Sequence, residues 1–343
     1  MATVSSSQKP LDDEEDDGKE RTCKRYSEII STLPKEKGWT TEHMYQYQGF
    51  WYHSVVGLQG IMWVEEHFKP RHEDLLLVSA PKSGTTWFKS LMFAIMNRGQ
   101  YDCSTHPLLT TSPHELVPFS EIFFHLNIPF PNPDTLSPPQ IFHTHLPFTS
   151  LSQSVLDSQC RIVYVCRNPK DTFVSLFHFL QKKEEENPRE PLSFEEAFEQ
   201  FCKGVSVYGP FWDHVLGYWK ASLEWPERVL FLKYEDMKVD SSFHLKRLAE
   251  FMGYAFSLEE EKQGLVKEIL KLCSFENQSN LRVNKTGRFR VGHMSMENNP
   301  FFRKGEVGDW KNHLTAEMAE RLDRITGQKL NGYDLRFLDT LDK

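Results

Sequence analysis

The sequence predicts an α/β fold, a single domain with a central, mostly parallel sheet and helices on both faces. Four short apolar runs of strand length alternate with longer helical patterns, which is typical of a doubly wound arrangement. The runs are nearly continuous in their hydrophobicity, as in strands that are covered on both faces. The four predicted strands are Leu75–Ser79, Gln140–Phe142, Arg161–Cys166 and Val229–Lys233.

Helical patterns come before, between and after these strands. Two precede the first strand, at Arg21–Leu33 and Gln59–Phe68, and a proline follows each of them, where a helix is expected to end. An aromatic-rich stretch, Met44–Tyr52, lies between these two helices. The remaining predicted helices are Thr86–Asn97, Asp171–Lys182, Ser193–Lys203, Phe211–Glu224 and Ser241–Met252.

The N-terminal segment differs from the rest of the chain in its charge. Of the formal net charge of −8, residues 1–20 carry −5, from seven acids and two lysines. We expect this acidic tail to be disordered and one domain to span residues 21–343. The tail has no apolar signal core, and no window of the chain approaches the run of about 20 apolar residues that spans a bilayer.

Cysteine usage and net charge limit the location and the partners. The six cysteines are scattered, with neither disulfide nor zinc spacing, which favours a reducing compartment. The net negative charge argues against nucleic acid as a partner. We therefore expect a cytoplasmic protein without a membrane or nucleic-acid partner.

Polar and cationic side chains follow all four predicted strands. Lys82 follows the first strand, His143 and His145 follow the second, Arg167 the third and Tyr234 the fourth. In open α/β sheets, ligands bind beyond the carboxyl ends of the strands. The sequence therefore predicts one binding site to which four strands contribute.

The segment after the first strand, Pro81-Lys-Ser-Gly-Thr-Thr-Trp87, has the composition of a phosphate-binding loop. Gly84 permits a tight backbone turn, and the residues after it open a helix whose N–H groups and dipole favour an anion. Unlike the nucleoside-triphosphate loop G-x-x-x-x-G-K-[ST], this loop has its lysine before the glycine. None of the strand ends offers the lone aspartate that holds Mg²⁺ in ATP-hydrolysing sites. The pattern favours a phosphate ligand that protein cations neutralise without a metal.

Taken together, these segments resemble the cytosolic sulfotransferases, and their plant branch in particular. The resemblance runs from about Leu33 to the C-terminus. It rests on the phosphate loop and on Thr144-His-Leu-Pro147, Tyr164-Val-Cys-Arg-Asn-Pro-Lys-Asp171, Leu232-Lys-Tyr-Glu-Asp236 and Phe302-Arg-Lys-Gly-Glu-Val-Gly-Asp-Trp-Lys311. Leu33-Pro-Lys-Glu-Lys-Gly-Trp39 and Cys273-Ser-Phe-Glu-Asn277 are similar to the plant members.

The resemblance implies transfer of a sulfuryl group from 3′-phosphoadenosine 5′-phosphosulfate (PAPS) to a hydroxyl, with 3′,5′-bisphosphoadenosine (PAP) as product and without a metal. It implies His145 as general base and Lys82 as the cation at the leaving oxygen. The implied nucleotide-binding residues are Lys82, Ser83, Gly84, Thr85, Thr86, Trp87, Arg167, Ser175, Tyr234, Ser274, Phe275, Arg303, Lys304 and Gly305.

Three further features bear on the acceptor and the assembly. Tyr47–Tyr52, Pro118–Phe130 and Tyr208–Trp212 are expected to line an apolar acceptor pocket, unless they are ordinary core aromatics. Thr286–Asn299 is expected to act as a lid that nucleotide binding orders. Lys311, Thr315 and Glu320 match a C-terminal dimer motif of animal members, but Ala316 replaces its valine, which favours a monomer or a weak homodimer.

Some alternatives stay open on the sequence alone. His143 stands where many animal members have lysine, and it either assists the reaction or only packs and lines the acceptor pocket. The acceptor is a flavonol, a hydroxylated jasmonate, a brassinosteroid, a desulfoglucosinolate or another small apolar alcohol. The competing functions are a metal-dependent nucleoside-phosphate kinase and a non-catalytic nucleotide-binding protein.

Overall fold

The structure is a computed structural model that describes residues 11–124, 139–182, 192–291 and 294–339. Its strands are β1 (Lys35–Lys37), β2 (His43–Tyr47), β3 (Phe50–Tyr52), β4 (Leu75–Ser79), β5 (Ile141–Thr144), β6 (Arg161–Cys166), β7 (Val229–Lys233), β8 (Arg288–Val291) and β9 (Met294–Glu297). Its α-helices are α1 (Leu11–Ser31), α2 (Val55–His67), α3 (Thr85–Asn97), α4 (Pro113–Leu116), α5 (Gln153–Ser158), α6 (Pro169–Lys182), α7 (Phe194–Cys202), α8 (Phe211–Glu224), α9 (Tyr234–Val239), α10 (Ser241–Met252), α11 (Leu258–Lys262), α12 (Leu265–Leu272), α13 (Phe275–Asn280), α14 (Arg282–Lys285) and α15 (Ala316–Lys329).

The central sheet is parallel and has the order β5-β4-β6-β7. β4 pairs with β5 on one side and with β6 on the other, and β7 pairs with β6. Because all four strands run in the same direction, their carboxyl ends meet at one edge of the sheet. The chain order reverses at β4, and the crevice at such a reversal is where this class of fold binds ligands.

Both faces of the sheet are buried against helices. Along β4, Leu76 and Val78 belong to one hydrophobic cluster, while Leu75 and Leu77 belong to the other. This alternation follows from the two-residue period of a strand. Helices α2, α6 and α8 contribute to the first cluster, and α3, α10 and α12 contribute to the second. The predicted single α/β domain with helices on both faces is confirmed.

Three of the four predicted strands, β4, β6 and β7, have the predicted bounds. The second strand differs, because β5 extends through Thr144. His143 therefore lies within the strand, and His145 is the first residue beyond it.

The first helix begins at Leu11, so residues 11–20, expected to be disordered, are helical in the structure. The composition of residues 1–20 does not reveal the contact further along α1 that holds this helix on the fold. Further along α1, Tyr26 is buried and donates a hydrogen bond to Glu66 of α2 at 2.7 Å. Residues 1–10 lie outside the described part of the chain.

Two smaller sheets complete the fold. β1, β2 and β3 form an antiparallel sheet, and the aromatic-rich stretch noted at Met44–Tyr52 forms most of β2 and all of β3. β8 and β9 form an antiparallel hairpin, in which Arg288 is opposite Glu297. This hairpin occupies most of the predicted lid segment.

Candidate active site

A cavity of about 550 Å³ lies at the carboxyl edge of the central sheet. Residues from the ends of all four strands line it: Lys82 after β4, His145 after β5, Arg167 after β6 and Tyr234 after β7. The structure thus brings together the side chains that the sequence predicts at the strand ends. Other predicted site residues on its lining are Gly84, Thr85, Thr86, Trp87, Ser175, Ser274, Phe275, Arg303, Lys304 and Gly305.

The loop between β4 and α3 has an unusual backbone. Lys82 and Gly84 both have positive φ, at 69° and 108°. A Cβ atom on Gly84 would lie 2.6 Å from Cδ2 of Tyr234, so this position excludes any side chain. The loop leads directly into the N-terminus of α3, and the first N–H groups of a helix can bind an anion.

The hydroxyls of the loop have different environments. Thr85 Oγ1 lies 2.7 Å from Ser79 Oγ at the end of β4, and Thr86 Oγ1 lies 3.1 Å from His114 Nε2. Ser83 is fully buried, its Oγ has no hydrogen-bond partner within the described part of the chain, and it is not among the residues found on the cavity lining. Of these three residues, Thr85 and Thr86 therefore line the cavity.

The ammonium group of Lys82 lies against aromatic rings. Its Nζ is 4.0 Å from the ring centre of Phe179 on α6 and 5.8 Å from that of Phe301. A cation over the face of an aromatic ring is stabilised by the ring's quadrupole. These contacts hold the lysine head at the cavity, between the phosphate loop and α6.

Arg167 is almost fully buried beside Tyr234. Its guanidinium carbon is 4.8 Å from the ring centre of Tyr234, and its Nη2 lies 3.5 Å from Asp171 Oδ2. Asp171 also accepts from the backbone N–H groups of Gly308 and Trp310, at 2.8 and 3.0 Å. Arg167 is thus fixed between the end of β6 and the first turn of α6, and Asp171 ties that helix to the loop that follows Arg303.

The loop at Arg303–Asp309 carries a second basic group. Arg303 Nη1 and Lys304 Nζ contact the buried carboxylate of Asp309 at 2.5 and 2.7 Å. Their hydrogen bonds hold the pKa of Asp309 well below its usual value, against the opposing effect of burial. Asp309 and Glu306 balance the formal charges of Arg303 and Lys304 within this loop, but both cationic side chains lie on the cavity lining.

Gly305 and Tyr234 connect this loop to the adenine side of the predicted site. Gly305 has φ 66°, and a Cβ on it would lie 2.6 Å from the ring of Phe275. The Tyr234 hydroxyl donates to the carbonyl oxygen of Gly305 at 2.8 Å. The Trp87 ring meets Tyr234 edge to face at 5.4 Å, and Ser274 caps α13 through Asn277 N–H. Aromatic surfaces therefore surround this end of the cavity.

His145 is held in one orientation. Its Nδ1 lies 2.6 Å from the carbonyl oxygen of Ser79, so Nδ1 must carry the proton and donate. Among the described residues none hydrogen-bonds Nε2, which is left available on the cavity side. Burial lowers the pKa of His145 to about 3, and the imidazole is neutral at physiological pH.

Glu121 holds the backbone of His145 through hydrogen bonds. Its Oε1 accepts from the backbone N–H of His145 at 3.0 Å and from Thr144 Oγ1 at 2.8 Å. Its Oε2 accepts from Ser120 Oγ at 2.7 Å, and the side chain is buried. Burial raises the pKa of this carboxyl, while its hydrogen bonds act in the opposite direction.

His143 lies deeper in the sheet than His145. It is buried within β5, its ring is edge-on to His145 with centres 4.5 Å apart, and Phe119 lies against it at 5.2 Å. Neither ring nitrogen has a hydrogen-bond partner among the residues that the structure describes. Burial holds the pKa of His143 well below its usual value, so the ring is neutral.

The cavity end beyond His145 is largely apolar. Of the aromatic stretches expected to line it, Pro118–Phe130 contributes Phe119 and Ile122, Tyr208–Trp212 contributes Tyr208, and residues 125–130 lie outside the described part of the chain. Tyr47–Tyr52 does not line it, because Phe50, Trp51 and Tyr52 pack into the core as β3. Other lining residues here are His53, Ser54, Val56, Gly57, Leu176, Phe179, Leu180 and Val207.

The predicted lid contributes two side chains to the cavity. Phe289 of β8 and Met296 of β9 line it, as do Phe301 and Phe302 just after the segment. Residues 292–293 of the predicted lid lie outside the described part of the chain.

Several polar residues at this site were not predicted from the sequence. Glu121, Lys89 and His114 all line the cavity, although each lies inside an apolar or helical stretch. Glu121 could have been predicted as a functional residue, because it is a charged residue within an otherwise apolar segment. Asp171 was not predicted because its partners Gly308 and Trp310 are distant in sequence. Asp309 was not predicted because its partners Arg303 and Lys304 were assigned to the nucleotide.

Comparisons with known proteins agree with one another. The family model described as "Sulfotransferase domain" matches residues 72–334. The chain is 46% identical over 314 residues to cytosolic sulfotransferase 16 of Arabidopsis thaliana, covering 90% of this chain and 91% of that protein. It is 47% identical over 315 residues to cytosolic sulfotransferase 13 of the same plant, covering 90% and 93%.

Solved structures give the same result. A putative steroid sulphotransferase of Arabidopsis thaliana superposes with a TM-score of 0.71 at 40% identity, covering 91% of this chain and 94% of that one. The mouse sulfotransferase SULT7A1, solved in complex with PAP, superposes with a TM-score of 0.64 at 27% identity, covering 85% and 96%. The names of the plant relatives agree with the predicted cytoplasmic location. No helix in the described ranges is both long and apolar enough to cross a membrane.

Proposed function

The chain belongs to the sulfotransferase family, among the plant cytosolic members, and is a PAPS-dependent enzyme; we propose that it sulfates a hydroxyl of a small apolar acceptor by direct transfer, with His145 as general base. The observation that carries this proposal is the setting of His145. Its Nδ1 is fixed on Ser79, and its Nε2 is available in the same cavity that the Lys82 loop lines.

The two basic groups of the cavity suit the two phosphate positions of the nucleotide. The Lys82–Trp87 loop, with its N–H groups at the start of α3, would hold the phosphosulfate. Arg167, Ser175, Arg303, Lys304 and Gly305 would hold the 3′-phosphate. Trp87, Tyr234, Ser274 and Phe275 would enclose the adenine. The residues present fit such a ligand, because cations, the hydroxyls of Thr85 and Thr86 and aromatic faces line the same cavity.

General-base catalysis needs a neutral imidazole with one nitrogen available. His145 meets both requirements, since burial keeps it neutral and the Ser79 contact fixes the proton on Nδ1. Nε2 would take the acceptor's hydroxyl proton as the oxygen forms its bond to sulfur. The bound nucleotide supplies the sulfuryl group and leaves as PAP.

Lys82 would stabilise the negative charge that develops on the leaving oxygen. A fixed cation aimed at developing charge lowers the barrier of a transfer reaction without reorganisation. The rings of Phe179 and Phe301 restrict the ammonium group to the cavity side of the loop. We propose that no metal takes part, because protein cations already face both predicted phosphate positions.

The acceptor would bind at the apolar end of the cavity, near Phe119, Ile122 and Tyr208. Such a lining suits flavonoid, hydroxyjasmonate, brassinosteroid or desulfoglucosinolate acceptors. His143 would line this end and exclude water beside His145. We also propose that nucleotide binding orders the lid and that the protein is a monomer or a weak homodimer.

The test combines binding and turnover. PAP should raise the melting temperature of the protein, whereas Mg-ATP should not. His145→Ala should abolish sulfation of an acceptor panel, read by mass spectrometry with labelled PAPS, and should leave PAP binding intact. Stabilisation by Mg-ATP alone, or full turnover by His145→Ala, would overturn the proposal.

A further inference from the structure

A fully buried lysine, Lys89, lies on α3 one turn after Thr86. Its Nζ donates to the carbonyl oxygen of Val117 at 2.9 Å and lies 3.3 Å from Nδ1 of His114. On the other side of the same ring, Nε2 of His114 lies 3.1 Å from Thr86 Oγ1. Three side chains thus form a hydrogen-bonded chain from the core to a hydroxyl on the cavity lining.

The chemistry of the lysine fixes the direction of this chain. In its charged form the ammonium group has three donors and no acceptor, so Nδ1 of His114 then accepts from Lys89. The ring proton then resides on Nε2, which donates to the Thr86 hydroxyl. Because this donation occupies an oxygen lone pair, the single proton of Thr86 remains for an acceptor elsewhere, and the cavity is the open direction.

We propose that Lys89 and His114 are positioning residues that orient the Thr86 hydroxyl as a hydrogen-bond donor toward an anionic group bound in the cavity. The inference rests on the proposed function, in which that group is the phosphosulfate. It assigns a role to two residues that do not themselves need to touch the nucleotide.

The burial of Lys89 supports this role. An unpaired buried cation is costly, and an apolar side chain would fill the same place in α3 without that cost. No carboxylate in the described ranges lies within ion-pair distance of its Nζ. Burial lowers the pKa of Lys89 to about 7, and an anion in the cavity would favour its charged form. Binding of the anion and charging of Lys89 therefore reinforce each other.

The His114 ring has a second contact that must be separated from its hydrogen bonds. It packs on Phe301, with ring centres 3.8 Å apart, and lies near Phe289 of β8. His114→Phe keeps an aromatic ring for this packing and removes both nitrogens. His114→Gln keeps a side-chain N–H that can reach Thr86.

The experiment is a double-mutant cycle on PAP affinity, measured by titration calorimetry with the full chain. His114→Phe should weaken PAP binding about tenfold in the unsubstituted background, because the Thr86 hydroxyl loses its orientation toward the bound anion. In the Thr86→Val background, the same substitution should weaken binding less than about twofold, because the hydroxyl through which it acts is gone. His114→Gln should restore affinity to within about threefold.

Equal losses in both backgrounds, or no loss from His114→Phe, would overturn the inference. If His114→Phe does not fold, as judged by its melting temperature, Lys89→Met takes its place in the same cycle, with the same expected non-additivity. PAP that fails to bind the unsubstituted protein would refute the proposed nucleotide site itself. PAP that binds with additive losses would refute only the positioning role.

Discussion

The Nδ1 atom of His145 lies 2.6 Å from the carbonyl oxygen of Ser79, so the ends of the neighbouring strands β5 and β4 are joined through a side chain. The contact requires a proton on Nδ1 and leaves Nε2 without one. A backbone carbonyl cannot titrate, and this tautomer is therefore independent of pH in the neutral range. The position of the proposed base is therefore set by the sheet.

The first prediction concerns pH. Burial lowers the pKa of His145 to about 3, so the base stays unprotonated well below neutral pH. We expect kcat, measured at saturating PAPS with an aliphatic alcohol acceptor, to show no acid limb between about pH 5.5 and 7.5. A non-ionising acceptor removes its own titration from the profile. An acid limb of the kcat profile with its midpoint at about pH 6.5, the ordinary pKa of histidine, would contradict the lowered pKa of buried His145.

The second prediction concerns Glu121, which holds the backbone of His145. Glu121→Ala removes the acceptor of three buried hydrogen bonds, and leaving such donors unpaired costs about 1–3 kcal/mol each. We expect a clear drop in the urea midpoint and a fall in kcat of about 100-fold, since a displaced base reacts poorly. PAP affinity should stay within about twofold, because Glu121 lies on the acceptor side.

Glu121→Gln is the matched control. It keeps the shape and one acceptor oxygen, so stability and kcat should both lie between those of the unsubstituted protein and Glu121→Ala. A Gln variant as impaired as the Ala variant would mean that the charge of the carboxyl, rather than its hydrogen bonds, is what His145 requires.

The sequence was sufficient where local pattern and burial agree. The bounds of β4, β6, β7, α8 and α10 follow from apolar runs between polar residues, and the strand-end rule brought Lys82, His145, Arg167 and Tyr234 to one cavity. The carboxyl ends of parallel strands lie at one edge of the sheet because the strands run in the same direction. Residues that follow such strands can therefore be placed together without knowing any side-chain contact.

The sequence was insufficient where the decisive partner is distant. Lys89 reads as part of an amphipathic helix, and only the fold brings Val117 and His114 to its ammonium group. The aromatic residues Phe50–Tyr52 could line a pocket or fill a core, and their packing decides for the core. The composition of residues 1–20 predicts disorder, whereas residues 11–20 belong to α1, whose Tyr26 contacts Glu66 of α2, about 40 positions later in the chain.

The third prediction tests the phosphate loop through its glycine. Gly84→Ala introduces a Cβ 2.6 Å from the Tyr234 ring at a positive φ, so the loop or the ring must shift. We expect a loss of about 1–3 kcal/mol in the free energy of unfolding and a fall in PAP affinity of at least about tenfold. Gly327→Ala is the control, because that helical glycine faces open space. It should stabilise the protein by about 0.5–1 kcal/mol and leave binding unchanged. Equal effects of the two substitutions would contradict the need for glycine at the loop.

The last prediction separates the two phosphate positions. Arg303 is paired with Asp309 at the edge of the cavity, and we assign it to the 3′-phosphate, which PAP carries and adenosine 5′-monophosphate lacks. Arg303→Gln should therefore weaken PAP binding by about tenfold, the loss of one charge-assisted contact, and change the affinity for the monophosphate less than about twofold. Lys311→Gln removes an exposed cation from the same loop region without a place on the cavity lining, and it should change neither affinity. Titration of both nucleotides against the three proteins measures the difference directly. An equal loss for the two nucleotides would mean that Arg303 acts on the fold of its loop through Asp309, and not on the 3′-phosphate.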